Sequence, residues 1–273
     1  MKKTLSALLT FVLLLVLSFS AACSTEKNGN QGSSADTNPP SSDTGGEAVD
    51  LWNVDDVDIS HVGNNRLIAF TFDDGPTDKT NALLDVFESF NTQNPDFIAH
   101  ATLFTIGSKI TSDNSAVLSR AAKMNFELGN HTFTHTDLTT LSNEKIVEEL
   151  KKTDDALKAF DGKSIHLVRP AGGHADARVL SLYKTTFINW TATLDTSDWQ
   201  DNTTENDIYN KISSNLLDGG IVLMHQGYDK SIKAVKRLLP DLKAQGYQVV
   251  SVSELIKYYQ VKAETGTLYD SFI

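Results

Sequence analysis

Short apolar segments typical of β-strands alternate with segments of helical apolar spacing from about residue 51 onward. The predicted strands cover residues 66–72, 100–106, 166–169, 186–192, 220–225 and 247–252. The clearest predicted helices cover residues 79–90, 143–160 and 205–217, and Ser142 is the predicted N-cap of the longest one. A strand followed by a helix, repeated about six or seven times, favours an α/β fold with a parallel sheet covered by helices.

The first 22 residues have the layout of a secretory signal peptide. Lys2 and Lys3 form a positive start, residues 5–19 are mostly apolar, and small residues follow at 20–22. The apolar run is shorter than the roughly 20 residues that a membrane-spanning helix needs. An uncleaved N-terminal anchor helix is the alternative interpretation. We therefore expect an exported protein whose residues 1–22 stand outside the fold.

Cys23 directly follows this leader and is the only cysteine of the chain. It resembles the lipidated cysteine of a bacterial lipobox, although Ser20 stands where such motifs usually carry Leu, Val or Ile. The alternative is an ordinary residue near a cleavage site. Residues 24–50 are polar and nearly free of apolar side chains, which predicts a disordered tether. We expect a lipoprotein-like linker over 23–55, a folded domain over 56–273, and a product that is lipid-anchored at the cell membrane or secreted.

The charge balance and the single cysteine exclude several classes of protein. The formal net charge is −11, so the surplus of Lys and Arg that non-specific binding to DNA or RNA requires is missing, and no nucleic-acid partner is expected. One cysteine excludes an internal disulfide framework and any cysteine-rich zinc module. A monomer is the expected state, and contact with a membrane is expected only through Cys23.

Asp73 and Asp74 follow the first predicted strand and precede a Gly-Pro turn. Two adjacent carboxylates repel each other, and a cation on one of them would leave the other free for proton transfer. The alternative is an Asp-rich turn without a function, since Asp and Gly favour turns. In β/α folds the C-terminal ends of strands are where sites are built, which favours a functional role for this pair.

His131 and His135 are four residues apart, and such a pair can point in one direction. Imidazole is a standard zinc ligand, but an isolated pair of this kind is weak support for a metal site. Together with the carboxylate of Asp74, the two histidines make a set of three ligands that leaves positions open for water and substrate. The sequence thus indicates a candidate metal site.

Three further motifs end strands or follow them. Arg169 precedes a Pro-Ala-Gly-Gly turn and could hold a carboxylate ionised, although a surface arginine is the alternative. Asp198 and Trp199 follow the strand over 186–192, in a composition that is also common in ordinary loops. His225 closes an apolar strand and could be either a core residue or a general acid oriented by a carboxylate such as Asp198.

In chain order, these five motifs resemble the polysaccharide deacetylases of the NodB-homology type, carbohydrate esterase family 4. The resemblance spans about residues 64–258 and rests on five motifs that occur in the family's order. It implies a distorted (β/α) barrel with parallel strands, outer helices and a metal in a groove at the strand C-termini. It also implies a hydrolase that removes acetyl groups from N-acetylated or O-acetylated glycans.

Transferred residue by residue, the resemblance implies a role for each polar motif residue. Asp73 is the expected general base, which Arg169 holds in place, and His225 is the expected general acid, which Asp198 orients. The implied metal ligands are Asp74, His131 and His135. Zinc is the expected ion, with cobalt or another divalent ion as the alternative.

The resemblance also implies residues of the substrate groove. Trp199 and Leu223 line the expected acetyl pocket, and Gly172 offers its backbone N–H to the oxyanion. The chain departs from the family pattern in two places: Ala171 and Gly172 stand where Pro and Tyr are frequent, and Gln226 stands where an acidic or small residue is frequent. Both departures affect the expected shape of the groove and leave the chemistry intact.

Three functional interpretations follow from the resemblance. The first is a deacetylase of amino sugars in a cell-envelope or extracellular polysaccharide, such as peptidoglycan or a chitin-like polymer. The second is an O-acetyl esterase of xylan-like polymers that uses the same metal site, because amide and ester hydrolysis share one tetrahedral intermediate. The third is a non-catalytic carbohydrate-binding lipoprotein, which would have no need for both Asp73 and His225.

Overall fold

Strand β1 (Arg66–Gly75) is the longest strand and the centre of the parallel sheet in the computed structural model, which describes residues 53–272. The other strands are β2 (Thr102–Thr105), β3 (Glu127–Asn130), β4 (Phe187–Ile188), β5 (Gly220–His225), β6 (Tyr247–Val250) and β7 (Leu268–Tyr269). The helices are α1 (Thr80–Gln93), α2 (Ser115–Lys123), α3 (Asn143–Asp161), α4 (Ala177–Leu182), α5 (Glu205–Ser213), α6 (Asp229–Ala244) and α7 (Val252–Tyr258). The predicted signal peptide, Cys23 and nearly all of the predicted linker lie outside the described residues.

The strands pair in the order β3–β2–β1–β5, and β6 also pairs with β1. All of these pairs are parallel. Strand β5 occupies one edge of β1, while β6 and β2 share the other edge: β6 lies beside residues 66–69 and β2 beside residues 71–75. The C-terminal ends of β1, β2, β3 and β5 consequently meet on one side of the molecule, where sites of such folds are built.

Single parallel bridges continue the pairing beyond the named strands. Val168 bridges both Asn130 at the end of β3 and Phe187 in β4, and Asp195 bridges Leu223 in β5. Because residues 187–195 are continuous in the chain, the pairing passes from β3 through Val168 and back to β5. The predicted parallel α/β fold is confirmed, and beyond the named strands the pairing consists of isolated bridges.

Side chains of β1 alternate between two apolar layers. Ile68, Phe70 and Phe72 pack in a buried cluster with residues of α1, α2, α5 and α6. Leu67 and Ala69 point to the other face, where they pack with residues of β5, β6 and α7. Burial on both faces explains the unbroken apolar run of β1. The second face continues at the C-terminal end of the strand with Thr71 and Asp73, both buried.

Two predicted strands are wrong in extent. Residues 166–169 form no named strand, and among them only Val168 makes β-bridges. Pro170 follows directly and cannot donate a ladder hydrogen bond, which prevents an extension at that end. The strand predicted at 186–192 is only Phe187–Ile188. At the end of this strand the Arg169 side chain donates to the backbone oxygens of Ile188 and Asn189, with hydrogen bonds of 3.2 and 2.8 Å. These two oxygens therefore bind a side chain and not a neighbouring strand.

Most other predicted elements are confirmed, with shifted ends. The strands predicted at 66–72, 100–106 and 220–225 correspond to β1, β2 and β5. Helix α3 begins after Ser142, whose hydroxyl accepts from the backbone of Lys145 as an N-cap. Strand β6 ends at Val250 instead of 252, because Ser251 forms the capping box that starts α7. Within residues 53–272, no helix has the length and apolar character needed to cross a membrane.

Candidate active site

Asp73 and Asp74 end β1, and their side chains have different partners. Asp73 lies on the interior face of β1 and is 3% exposed, with its carboxylate against Arg169. Asp74 has a φ of 68°, in the left-handed region, and its carboxylate lies beside His131 and His135. The turn thus gives the two adjacent carboxylates different main partners: Asp73 pairs with Arg169 and lies 3.6 Å from His131 Nε2 through Oδ2, whereas Asp74 lies between the two imidazoles.

Asp74, His131 and His135 form a compact cluster of potential metal ligands. Asp74 Oδ1 lies 3.4 Å from His131 Nε2 and 3.3 Å from His135 Nε2. All three ligand atoms lie within 4.8 Å of one another. Ligands at about 2.1 Å from a tetrahedral ion are about 3.4 Å apart, so this spacing suits a divalent metal.

Hydrogen bonding at His131 prepares its ring for a cation. Its Nδ1 donates to the backbone oxygen of Arg169 at 2.8 Å, so in the neutral ring the Nε2 lone pair faces Asp74. Asp74 Oδ1 is buried and has no hydrogen-bond partner. Two acceptors therefore face each other in a buried position, which is unfavourable without a cation between them. These residues fit a divalent metal.

The loop from His131 to His135 holds both imidazoles without a helix. Thr132 and His135 have φ values of 64° and 61°. The side chain of Asn130 accepts from Thr132 N at 2.9 Å, and Thr132 Oγ1 accepts from His135 N at 3.0 Å. Burial lowers the pKa of His135, which keeps its ring neutral and available as a ligand at pH 7.

Arg169 is fully buried and fixes the carboxylate of Asp73. Its NH1 group donates to Asp73 Oδ1 at 2.8 Å and to Thr71 Oγ1 at 2.6 Å. The guanidinium also lies over the ring of Phe104, 4.2 Å from the centroid. Since Arg169 keeps its charge even when buried, it holds the Asp73 carboxylate in a fixed orientation, as a general base needs.

His225 ends β5 beside Asp73, its register partner on β1. Its Nδ1 lies 2.6 Å from Asp198 Oδ1, and its backbone N–H donates to Asp198 Oδ2 at 2.8 Å. Asp198 is fully buried and also accepts from the hydroxyl of Ser231. Asp198 thereby fixes both the ring and the backbone of His225, and leaves Nε2 as the nitrogen that can exchange a proton with a ligand.

The protonation of His225 depends on the surrounding carboxylates. Burial lowers its pKa, but the hydrogen bond to Asp198 and the charges of Asp73, Asp198 and Asp74 outweigh this effect and raise the pKa to about 8. The imidazole is consequently a cation at neutral pH, which is the state that a general acid needs.

The three predicted groove residues lie on the same elements as the polar site residues. Leu223 precedes His225 by two positions on β5 and is 4% exposed. Trp199 follows Asp198 and is 54% exposed, so its indole is open to a ligand. Gly172 has a φ of 62° in the short 3-10 turn Ala171–Gly173 that follows Arg169. Their expected contacts with an acetyl group remain predictions.

Gln226 does not line a groove, which corrects the expectation that it alters the groove's shape. It is fully buried, donates to the backbone oxygen of Phe72 at 3.2 Å and accepts from Thr80 Oγ1 at 2.9 Å. A Cβ at Gly75 would lie 2.0 Å from the Gln226 amide. Gln226 therefore packs tightly against the turn that carries Asp73 and Asp74.

Sequence reasoning missed several supporting side chains. Thr71 and Ser231 bind Arg169 and Asp198 directly, but single hydroxyl residues at these spacings carry no recognisable signal. Asn130 was recognisable in principle, because an Asn two residues before a backbone N–H at a strand end is typical of an Asx-turn. Its amide also donates to Asp154 at 2.9 Å, which ties the histidine loop to α3.

The sequence matches a family model and is similar to several known proteins. The family model described as "Polysaccharide deacetylase" matches residues 61–188. A peptidoglycan-N-acetylglucosamine deacetylase of Bacillus cereus is 34% identical over 206 residues, which cover 71% of this chain and 90% of that protein. A bifunctional xylanase/deacetylase of Pseudobutyrivibrio xylanivorans is 32% identical over 196 residues; the match covers 71% of this chain but only 31% of that longer protein.

A solved structure is similar over the same region. The Xyl-CE4 domain of a multidomain xylanase from the hindgut metagenome of Trinervitermes trinervoides matches with a TM-score of 0.69 and 29% identity. The match covers 76% of this chain and 98% of that domain. The similarity therefore includes nearly the whole of that domain and most of the residues described above.

Proposed function

Because the chain belongs to the polysaccharide deacetylase family, carbohydrate esterase family 4, we propose that it is a metal-dependent hydrolase that removes acetyl groups from N-acetylated amino sugars. The substrate we propose is a cell-envelope or extracellular polysaccharide such as peptidoglycan or a chitin-like polymer. One observation carries this proposal: Asp73 and His225 are register partners on β1 and β5, next to a cluster of three potential metal ligands.

Asp74, His131 and His135 would hold the ion, which we propose is zinc. Two imidazoles and one carboxylate are a ligand set of catalytic zinc sites, and cobalt or another divalent ion could use the same set. When bound, such an ion supplies Lewis-acid polarisation of the acetyl carbonyl and acidifies a water molecule. Polarisation of the carbonyl and acidification of the water would both come from the ion, so no side chain has to supply them.

The protein's own residues account for the proton transfers. Asp73, held in place by Arg169, accepts a proton from the attacking water. The backbone N–H of Gly172 donates to the oxyanion of the tetrahedral intermediate. His225 then gives its Nε2 proton to the leaving nitrogen, and Asp198 stabilises the charged imidazole before that step. An amine is a poor leaving group unless it is protonated, so the acid is essential for amide cleavage.

The groove residues would bind the acetyl group and the sugar. We propose that Leu223 packs against the acetyl methyl group and that Trp199 lies against a sugar ring, because an exposed indole offers a flat apolar face. Export, as expected from residues 1–22, would bring the enzyme to an extracellular glycan. Lipid attachment at Cys23 would keep it at the membrane surface.

A second candidate function is hydrolysis of O-acetyl groups on xylan. It is favoured by the similarity to a protein named as a bifunctional xylanase/deacetylase and to a domain of a multidomain xylanase. The residues proposed for catalysis would serve both reactions. Only the preference for amide or ester differs between the two candidates.

Acetate release from N-acetylchitooligosaccharides, peptidoglycan and acetylxylan, each with and without EDTA, tests the proposal. We expect release from one of the first two substrates, its loss after removal of the metal, and its return when zinc is added. Faster release from acetylxylan would favour the esterase. Release from none of the three by the zinc-loaded protein would favour the non-catalytic carbohydrate-binding alternative.

Acetate release should decrease at high pH as His225 loses its proton. The acid form is required, and the pKa of His225 is about 8, so activity is expected to fall as the pH rises through that value. Asp198→Asn removes the charge that raises the pKa, and the basic limb should move to lower pH by about one unit or more. The exposed Asp201 in the same loop offers a matched control, and Asp201→Asn should leave the limb in place. An unchanged limb in Asp198→Asn would contradict the pairing.

A further inference from the structure

We propose that His61, His100 and Glu254 form a second site for a divalent transition-metal ion such as zinc, separate from the cluster at the end of β1. The three potential ligand atoms lie within 4.8 Å of one another. His61 precedes β1, His100 precedes β2, and Glu254 is in α7. None of these residues takes part in the proposed deacetylation.

One of the two short distances in the cluster suits ligands around one ion, and the other is a hydrogen bond that an ion would replace. His61 Nε2 lies 3.3 Å from Glu254 Oε1, close to the separation of about 3.4 Å between ligands of a tetrahedral zinc. His100 Nδ1 lies 2.6 Å from the same oxygen and donates a hydrogen bond to it. An ion would take the position of that hydrogen, and the ring would then carry its proton on Nε2.

A buried nitrogen without a hydrogen-bond partner indicates that a cation could bind at this position. His61 Nε2 is buried and has no hydrogen-bond partner, and Asp74 Oδ1 in the first cluster is in the same situation. The two rings lie close together, with centroids 4.4 Å apart. A cation would satisfy His61 Nε2 and the Glu254 carboxylate together.

The surrounding structure holds the three ligands in place. Gln248 is fully buried in β6, and its amide donates to the backbone oxygens of His61 and Ile98 at 3.2 and 2.8 Å. Glu254 Oε2 accepts from Ser251 N at 2.7 Å in the capping box of α7, which leaves Oε1 for the ion. Preorganised ligands lose little conformational freedom on binding, which favours affinity.

The position of the cluster indicates a structural role for this ion. It lies where β6 and β2 follow each other along one edge of β1, and at the opposite end of β2 from the candidate active site. His61, His100 and Glu254 line a cavity of about 630 Å³, from which water can complete the coordination. The ion would tie the segment before β1 to α7, residues nearly 200 positions apart in the chain, and so stabilise the fold.

Zinc stoichiometry tests this inference without measuring acetate release. After stripping with EDTA and dialysis against ZnCl2, elemental analysis should find two equivalents in the wild-type chain, one in His61→Ala and one in His131→Ala. The double variant should bind none. His174 is exposed and paired with Asp137, so His174→Ala is the matched control and should keep two equivalents of zinc.

One equivalent in both the wild type and His61→Ala, or none in folded His131→Ala, would overturn the second site and indicate that the cluster is only a hydrogen-bonded triad. If His61→Ala does not fold, His61→Gln replaces it in this experiment. The two proposals fail separately: wild type that releases no acetate while His131→Ala still binds one zinc contradicts only the proposed function. Zinc should also raise the melting temperature of His131→Ala but not that of the double variant.

Discussion

Asp73→Asn is expected to reduce acetate release by about 10²–10⁴-fold, because the variant lacks the general base. It is also expected to lose about 3–5 kcal/mol of unfolding free energy, since it leaves the fully buried charge of Arg169 without its carboxylate partner. Bound metal should be retained, as the ligands of the first cluster are unchanged. Acetate release, zinc content and urea unfolding of the same preparation measure the three effects.

Asp85→Asn is the matched control for this substitution. Asp85 is exposed and pairs with Arg120 on the surface, so activity should be unchanged and stability should change by less than about 1 kcal/mol. Near-normal turnover of Asp73→Asn would remove Asp73 from the role of base. Lost activity without any loss of stability would instead contradict the buried pairing with Arg169.

His131→Ala is expected to reduce acetate release by about 10³-fold and zinc content by one equivalent. The ion proposed here supplies several kcal/mol of transition-state stabilisation, and about 4 kcal/mol corresponds to about 10³-fold in rate. His131 is the best-fixed ligand, because its Nδ1 donates to the backbone of Arg169. Its loss leaves Asp74 and His135, which are too few to retain the ion through dialysis.

The control for zinc content is again His174→Ala, which removes an exposed imidazole. It should lose no zinc, whereas His135→Ala should behave like His131→Ala. A His131→Ala protein with the full zinc content of the wild type would contradict the ligand assignment. Full zinc content with lost acetate release would give His131 a different role in the reaction.

The sequence could predict the fold where the apolar pattern is strong. The unbroken run of β1 and the 3.6-residue spacing of α3 are local signals, and both elements are confirmed. Strand β3 was not predicted, because Glu127–Asn130 is polar and contains Gly129. This strand forms because of tertiary contacts: Glu127 is buried against Thr102 and Ser253, and a Cβ at Gly129 would lie 2.5 Å from the ring of Phe104.

In the candidate site, too, some features follow from local sequence patterns, and others depend on contacts between residues far apart in the chain. Spacing alone suggested that His131 and His135 share a direction, yet they do so through positive φ values and not through a helix. Residues far apart in the chain, such as Asp73 and Arg169, could be paired only through the family resemblance. The cluster of His61, His100 and Glu254 has no motif spacing, and only the folded chain brings its members together.

Asp74, His131 and His135 are expected to bind one divalent ion next to Asp73 and His225. Anomalous diffraction at the zinc edge, from crystals of the zinc-loaded protein, tests it most directly. We expect a peak about 2.0–2.2 Å from a carboxylate oxygen of Asp74 and from Nε2 of both histidines. Anomalous maps with no peak among these three side chains, from a preparation that still releases acetate, would contradict the account.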